Sequence, residues 1–275
     1  MAIGNINLIR PISWKRLQKN FERMRYVKII ISPARTMQVD TDSLLYKDSP
    51  KFLQQTKDIL GWMRSLSYDE LHKVWGNCSS RLAMKNYQWL HQMDLQRNLT
   101  PAIIAFTGLQ YQYMAPSVFS DNGLKYVQDN LRILSGFYGI LRPFDGIIPY
   151  RLGMGDMAPV NGYKNLYDFW GEQLYRELYK KNDLVISLAS VEYEKAITPY
   201  LQTQDRFIKC IFGEEVDGKI KQKATLAKMA RGNMVRYLAE NQIQTIEDVK
   251  HFNIGGYRFR KDLSTDAKLV FELVK

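Results

Sequence analysis

The stretch LRILSGFYGILRPFDGIIPYRLGMG, residues 131–155, decides how the chain is read. It opens on a short apolar run, 131–134, and breaks at once into Ser135, Gly136, Tyr138 and Gly139. Gly136, Gly139, Pro143, Gly146 and Pro149 then follow too closely for one helix or strand to hold them all. Between them stand Arg132, Arg142 and Arg151, with Asp145 and Tyr150. The pattern predicts a buried strand feeding a long, polar, cationic loop. Such loops usually serve a ligand, because a purely structural connection is shorter. The alternative is an irregular connector whose arginines are simply solvated.

Working outward, the same grammar recurs. YVKIII (26–31) reads as a strand covered on both faces and ends in Ser32-Pro33-Ala34-Arg35-Thr36. AIIAF (102–106) ends in Thr107-Gly108, and LVI (184–186) ends in Ser187-Leu188-Ala189-Ser190, with Glu192 and Tyr193 beyond. Four buried strands, each finishing in a small polar loop and most of them separated by helical segments, predict an α/β (mixed α+β) protein with a mainly parallel central sheet. Parallel strands place their carboxyl ends on one edge, where ligands of open α/β sheets bind. The loops carrying Arg35, Gly108, Tyr138 and Ser190 are therefore expected to converge on one cleft.

Between the first two runs lies a mainly helical insertion. Pro50 starts a helix running to about residue 64, Ser67 caps a second over 68–74, and Ser79 or Ser80 caps a third running to about 93. The hairpin Gly76-Asn77-Cys78-Ser79-Ser80 can present backbone N–H groups to a phosphate, with Arg81 and Lys85 adding charge. It resembles a helix-hairpin-helix unit loosely, since Cys78 stands in place of the second hairpin glycine; a plain packed helical pair is the other account. Residues 164–180 read as one amphipathic helix with Leu166, Phe169, Trp170, Leu174 and Leu178 on one side. Segments 206–216 and 219–225 pair around Asp217-Gly218. A helix over 226–241 carries Lys228 and Arg231 three apart, on one face, either towards the cleft or towards solvent. A short helix over 246–249 and strands at 257–260 and 269–274 close the chain.

Composition narrows the function. The 275 residues suffice for a real core, and without a repeat, linker or low-complexity segment one domain over 26–275 is expected. The first 25 residues, with six basic groups against Glu22, read as a flexible basic leader or a start placed too early, Met24 lying just before the first strand. A net charge of +11 favours polyanionic partners, among them DNA, RNA, nucleotides and anionic membrane surfaces. No apolar run reaches the roughly 18 residues of a transmembrane helix. Cys78 and Cys210 stand far apart and in no motif, arguing for a reducing compartment. His72, His91 and His251 are scattered, so neither a tightly bound metal nor a cofactor is expected.

Together the motifs resemble the YaaA family of bacterial peroxide stress proteins. The matching stretches are ISPART (31–36), AFTG (105–108), LRILSGFYGILRPFD (131–145), PYRLGMG (149–155), LYDFWG (166–171), LASVEY (188–193) and KMARG (228–232), followed by Asn241 and GGY (255–257). Leu109 and Gly153 stand where the family usually carries Asp and Glu, Ser187 where it carries Asn, and Met229 where it carries Lys. The two lost acids put acid/base roles at those positions in doubt and make the cleft more cationic. The resemblance implies a cytoplasmic protein that limits free iron and the oxidative DNA damage it drives. It also implies a mixed α/β fold with a helix-hairpin-helix element and a positively charged DNA-binding cleft.

Two principal functions follow as expectations. One is DNA binding, with phosphates along Arg35, Thr36, Arg132, Arg142, Arg151, Lys228 and Arg231, and the hairpin residues Asn77, Ser79, Arg81 and Lys85 gripping backbone. The other is an enzyme acting on a nucleotide, or on a nucleobase within nucleic acid, with Glu192, Asp145 and Tyr138 as candidate catalytic groups. A basic adaptor that docks an acidic protein is the third, blander reading.

Overall fold

The computed structural model describes residues 27–76, 78–180 and 184–274; the expected basic leader and Asn77 lie outside them. In chain order the elements are β1 (Val27–Ile31), α1 (Leu53–Ser65), α2 (Tyr68–Val74), α3 (Ser80–Gln92), β2 (Thr100–Pro101), α4 (Ala102–Ala105), α5 (Leu109–Met114) and α6 (Asp121–Asn130). They continue as β3 (Leu131–Ser135), β4 (Gly139–Leu141), β5 (Gly146–Ile147), α7 (Leu166–Trp170), α8 (Gln173–Leu178), β6 (Leu184–Leu188) and α9 (Val191–Glu194). The last are β7 (Arg206–Val216), β8 (Lys219–Lys221), α10 (Ala224–Glu240), α11 (Ile246–Val249), β9 (Tyr257–Phe259) and β10 (Lys268–Leu273).

The central sheet runs β4-β3-β1-β6-β7-β10-β9, with β8 added to β7. Its five inner strands, β3, β1, β6, β7 and β10, are mutually parallel, and the hairpin partners β4, β8 and β9 are antiparallel. Ile29, Ile30 and Ile31 are fully buried, as are Ile133, Leu134, Ile186 and Leu188. Consecutive burial means that both faces of the sheet are covered, which is why these strands read as unbroken apolar runs. Each such side chain contributes roughly 1.5–3 kcal/mol of burial. Register pairs Ile31 with Ile133 on one side and Leu188 on the other, so three strands end together.

Three expectations are corrected. AIIAF is the helix α4, not a strand: the backbone N–H groups of Ala102 and Ile103 donate to Asp145 O (2.9 Å) and Pro143 O (3.0 Å), which satisfies the start of a helix. The long polar loop after β3 is largely a buried hairpin. Ser135 Oγ accepts from Phe137 N and Tyr138 N and closes a tight turn, and β4 returns along β3. The helix expected over 164–180 is two, α7 and α8, broken at Gly171, whose φ of +48° and ψ of −139° are open to glycine and few others. Its apolar side survives the break, with Leu166, Trp170 and Leu174 fully buried.

In the helical insertion, Ser67 and Glu70 form a reciprocal capping box at the start of α2. Ser79 stands at the N-cap position of α3 without a capping side-chain bond, and Cys78 O is turned to the His72 ring. No helix among the described residues is long and apolar enough to cross a membrane.

Candidate functional site

The strand ends build the site. Beyond β1 and β6, Ser190 N donates to Ser32 Oγ at 2.8 Å and the two hydroxyls lie 3.2 Å apart. Tyr111, on α5, donates its hydroxyl to Ser32 O at 3.0 Å, and Thr107 N donates to Thr36 O at 3.0 Å. Helix α10 lies across α5 so closely that a Cβ at Gly232 would stand 2.2 Å from Gln110 O. That approach brings Lys228 and Arg231 over the strand ends. Tyr150, anchored to Ser135 Oγ at 2.7 Å, leads the segment 150–153 along the remaining wall. Together these segments enclose a cavity of about 380 Å³ at the carboxyl edge of the parallel strands.

Four cations line it, Arg35, Arg151, Lys228 and Arg231, against two carboxylates, Asp156 and Glu192. Three lining donors, Gln110 Nε2, Arg151 Nε and Arg231 Nε, are buried with no hydrogen-bond partner. Four cations against two carboxylates suit an acceptor-rich, anionic occupant. Burial lowers the Arg231 pKa and Glu194 counters it, so the guanidinium keeps its charge. The phenols of Tyr111, Tyr150 and Tyr193 are pushed up by burial and remain protonated.

The carboxylates are held by backbone. Gly153 N donates to Asp156 Oδ2 at 2.7 Å, and Gly155 N donates to Glu192 Oε1 at 3.0 Å. A Cβ at Gly153 would lie 3.1 Å from Asp156 Oδ1 and 3.2 Å from Glu192 Oε1, so both acids converge on that point. Arg35 approaches Asp156 only to 3.8 Å and is largely exposed, leaving its charge available to an incoming anion.

Of the residues expected to act, Arg35, Thr36, Arg151, Lys228, Arg231 and Glu192 line this cavity. Gly108 and Ser190 also reach it, as the convergence of loops required; Tyr138 does not. Tyr138 is buried behind the cavity, its hydroxyl accepting from Ile148 N at 3.2 Å. Asp145 is buried beneath the hairpin, where it accepts from Arg142 N (2.8 Å) and Arg142 Nε (3.2 Å). Arg142 also pairs with Asp48 at 2.9 Å, and Arg132 donates to Gln128 O and Leu131 O. Ser79, Arg81 and Lys85 are exposed on α3 and its start, Lys85 Nζ lying 4.5 Å from the Trp89 ring centroid. Gln110, Tyr111, Tyr150 and Asp156 join the lining unexpected from sequence. The one signal for Gln110 and Tyr111 was their place directly after the polar Thr107-Gly108 loop.

Fold and site thus define an α/β protein with a donor-rich cavity at the carboxyl edge of its parallel strands. A profile of the family described as peroxide stress protein YaaA matches residues 27–263, and the chain belongs to that family. It is 94% identical over 249 residues to a UPF0246 protein of Limosilactobacillus reuteri (strain DSM 20016), covering 90% of this chain and all of the relative. UPF0246 proteins of Pediococcus pentosaceus and Lactiplantibacillus plantarum are 53% and 50% identical, each over 89% of this chain and 97% and 98% of their own.

Proposed function

We propose that this member of the peroxide stress family acts in the cytoplasm as a DNA-binding protein, takes nucleic acid at the cavity, and so limits iron-driven oxidative DNA damage. The observation that carries this reading is the set of four cations, Arg35, Arg151, Lys228 and Arg231, lining one cavity at the carboxyl edge of the parallel strands. Phosphate oxygens are the acceptors such a set fits, and arginine binds them with particular geometric advantage. Arg81 and Lys85 on α3 serve as flanking backbone contacts in this scheme. The test is the anisotropy of a labelled duplex across a salt series. Phosphate contacts release counterions, so affinity should fall linearly on a log–log plot with a slope of about −0.9 per contact. Binding that is absent, or flat with salt, overturns the reading.

A second reading, an enzyme acting on a nucleotide or on a nucleobase in nucleic acid, draws on a different observation. Glu192 reaches the cavity with Oε1 fixed by Gly155 N, as a positioned acid/base group would be. Glu192→Gln separates the two: a pure binder keeps its affinity, whereas an enzyme loses turnover.

A further inference from the structure

The cavity and its rim differ in chemistry. At about 380 Å³ the cavity falls in the lower part of the range of small-ligand pockets, roughly 300–1,000 Å³. It can take one nucleotide but not a duplex. Its lining is bipolar: Arg35, Arg151, Lys228 and Arg231 bring positive charge, while Asp156 and Glu192 offer acceptors. The first set suits phosphate, and carboxylates accept from exocyclic amino groups of bases.

Two exposed apolar residues adjoin the cavity's carboxylates in the chain. Met157 follows Asp156 and is 78% exposed; Val191 precedes Glu192 and is 65% exposed. With Leu45, also 78% exposed, they are the three most exposed large apolar side chains among the described residues. The two rim segments touch, since Gly155 N donates to Glu192 Oε1 at 3.0 Å and the Glu192 side chain packs within 3.3 Å of where a Gly155 Cβ would stand. Proteins that bend duplexes frequently insert an exposed apolar side chain, Met among them, between base steps and partly unstack them. Resting on the DNA-binding reading, we propose that one nucleotide of a duplex is extruded into the cavity and that Met157, seconded by Val191, fills the gap left in the stack.

The test uses a duplex carrying a central 2-aminopurine, whose emission rises when it leaves the stack, with anisotropy of an end label read on the same samples. The wild-type chain should raise emission several-fold on binding. It should also bind a duplex with a mispair at that position about tenfold more tightly, because part of the unpairing is already done. Met157→Ala with Val191→Ala should abolish the emission rise, and Met157→Leu should restore most of it. A rise in anisotropy without a rise in emission overturns extrusion and leaves DNA binding standing. An emission rise that survives the double alanine variant overturns the wedge, and no change in anisotropy overturns the underlying DNA reading itself.

Discussion

Ser32 and Ser190, 158 positions apart, are joined by a donated backbone N–H at 2.8 Å and a hydroxyl contact at 3.2 Å. This link ties the ends of two parallel strands into the floor of the cavity. Ser32→Ala leaves Ser190 N without its acceptor; because the bond is only part-buried and lines the cavity, the loss is about 0.5–1.5 kcal/mol. The urea midpoint should fall accordingly, and DNA affinity should weaken several-fold as the floor loosens. An unchanged midpoint would mean that the strand ends are held by sheet pairing alone.

The contact of Gly232 with Gln110 sets the opposite wall. A methyl at Gly232 would meet Gln110 O at 2.2 Å and Met114 N at 2.9 Å, both backbone atoms that cannot step aside. Alanine gains up to about 1 kcal/mol in helix propensity, but overpacking of this kind costs roughly 1–3 kcal/mol or more. Gly232→Ala is therefore destabilising, and it displaces Lys228 and Arg231 with the helix. Thermal unfolding checks the first effect and salt-dependent DNA binding the second.

Asp145 gives the fold a pH dependence. Burial pushes its carboxyl from 3.8 up to about 6, against the pull of Arg142. Between those values the folded chain holds a proton that the unfolded chain releases. This group's contribution is thus full at acid pH and lost as pH rises through that window, by at most on the order of 3 kcal/mol. The stability of Asp145→Asn relative to wild type should rise from pH 4 to pH 6 and then level off. Parallel profiles would show that Arg142 holds Asp145 ionised throughout.

Peroxide chemistry at Cys210 is disfavoured by its surroundings. The side chain is buried, and burial pushes the thiol up to about 12, with Arg231 opposing and Glu194 reinforcing the shift. The thiolate is the reactive form, so Cys210 should be inert to hydrogen peroxide and to thiol reagents at neutral pH. Thiol titration should find at most one reactive group, Cys78, in the native chain and two after unfolding. Rapid native modification of Cys210 would contradict this.

What could be read from sequence follows the range of the deciding interaction. The runs at β1, β3 and β6, the capping of α2 by Ser67, and the Asp217-Gly218 hairpin are local patterns, and they appear where the sequence placed them. The helix α4 was unreadable because four apolar residues look alike in a buried strand and a buried helix. What decides is Asp145 O and Pro143 O, some forty positions away. Arg142 and Arg151 look equivalent in one motif, yet Asp48 and Asp145 claim Arg142 while Arg151 lines the cavity. The break at Gly171 needed a backbone angle that a periodic pattern does not report.

The central claim is that the cavity, not basic surface in general, takes nucleic acid. It is tested most directly by two double variants that each remove two positive charges: Arg151→Ala with Lys228→Ala in the cavity, and Arg81→Ala with Lys85→Ala on α3. Both are compared with wild type for binding to one labelled duplex across a salt series. The cavity pair should lose about two units of salt slope and on the order of 100-fold in affinity, while the helix pair loses several-fold at most. Equal losses, or a larger loss from the helix pair, would contradict the account.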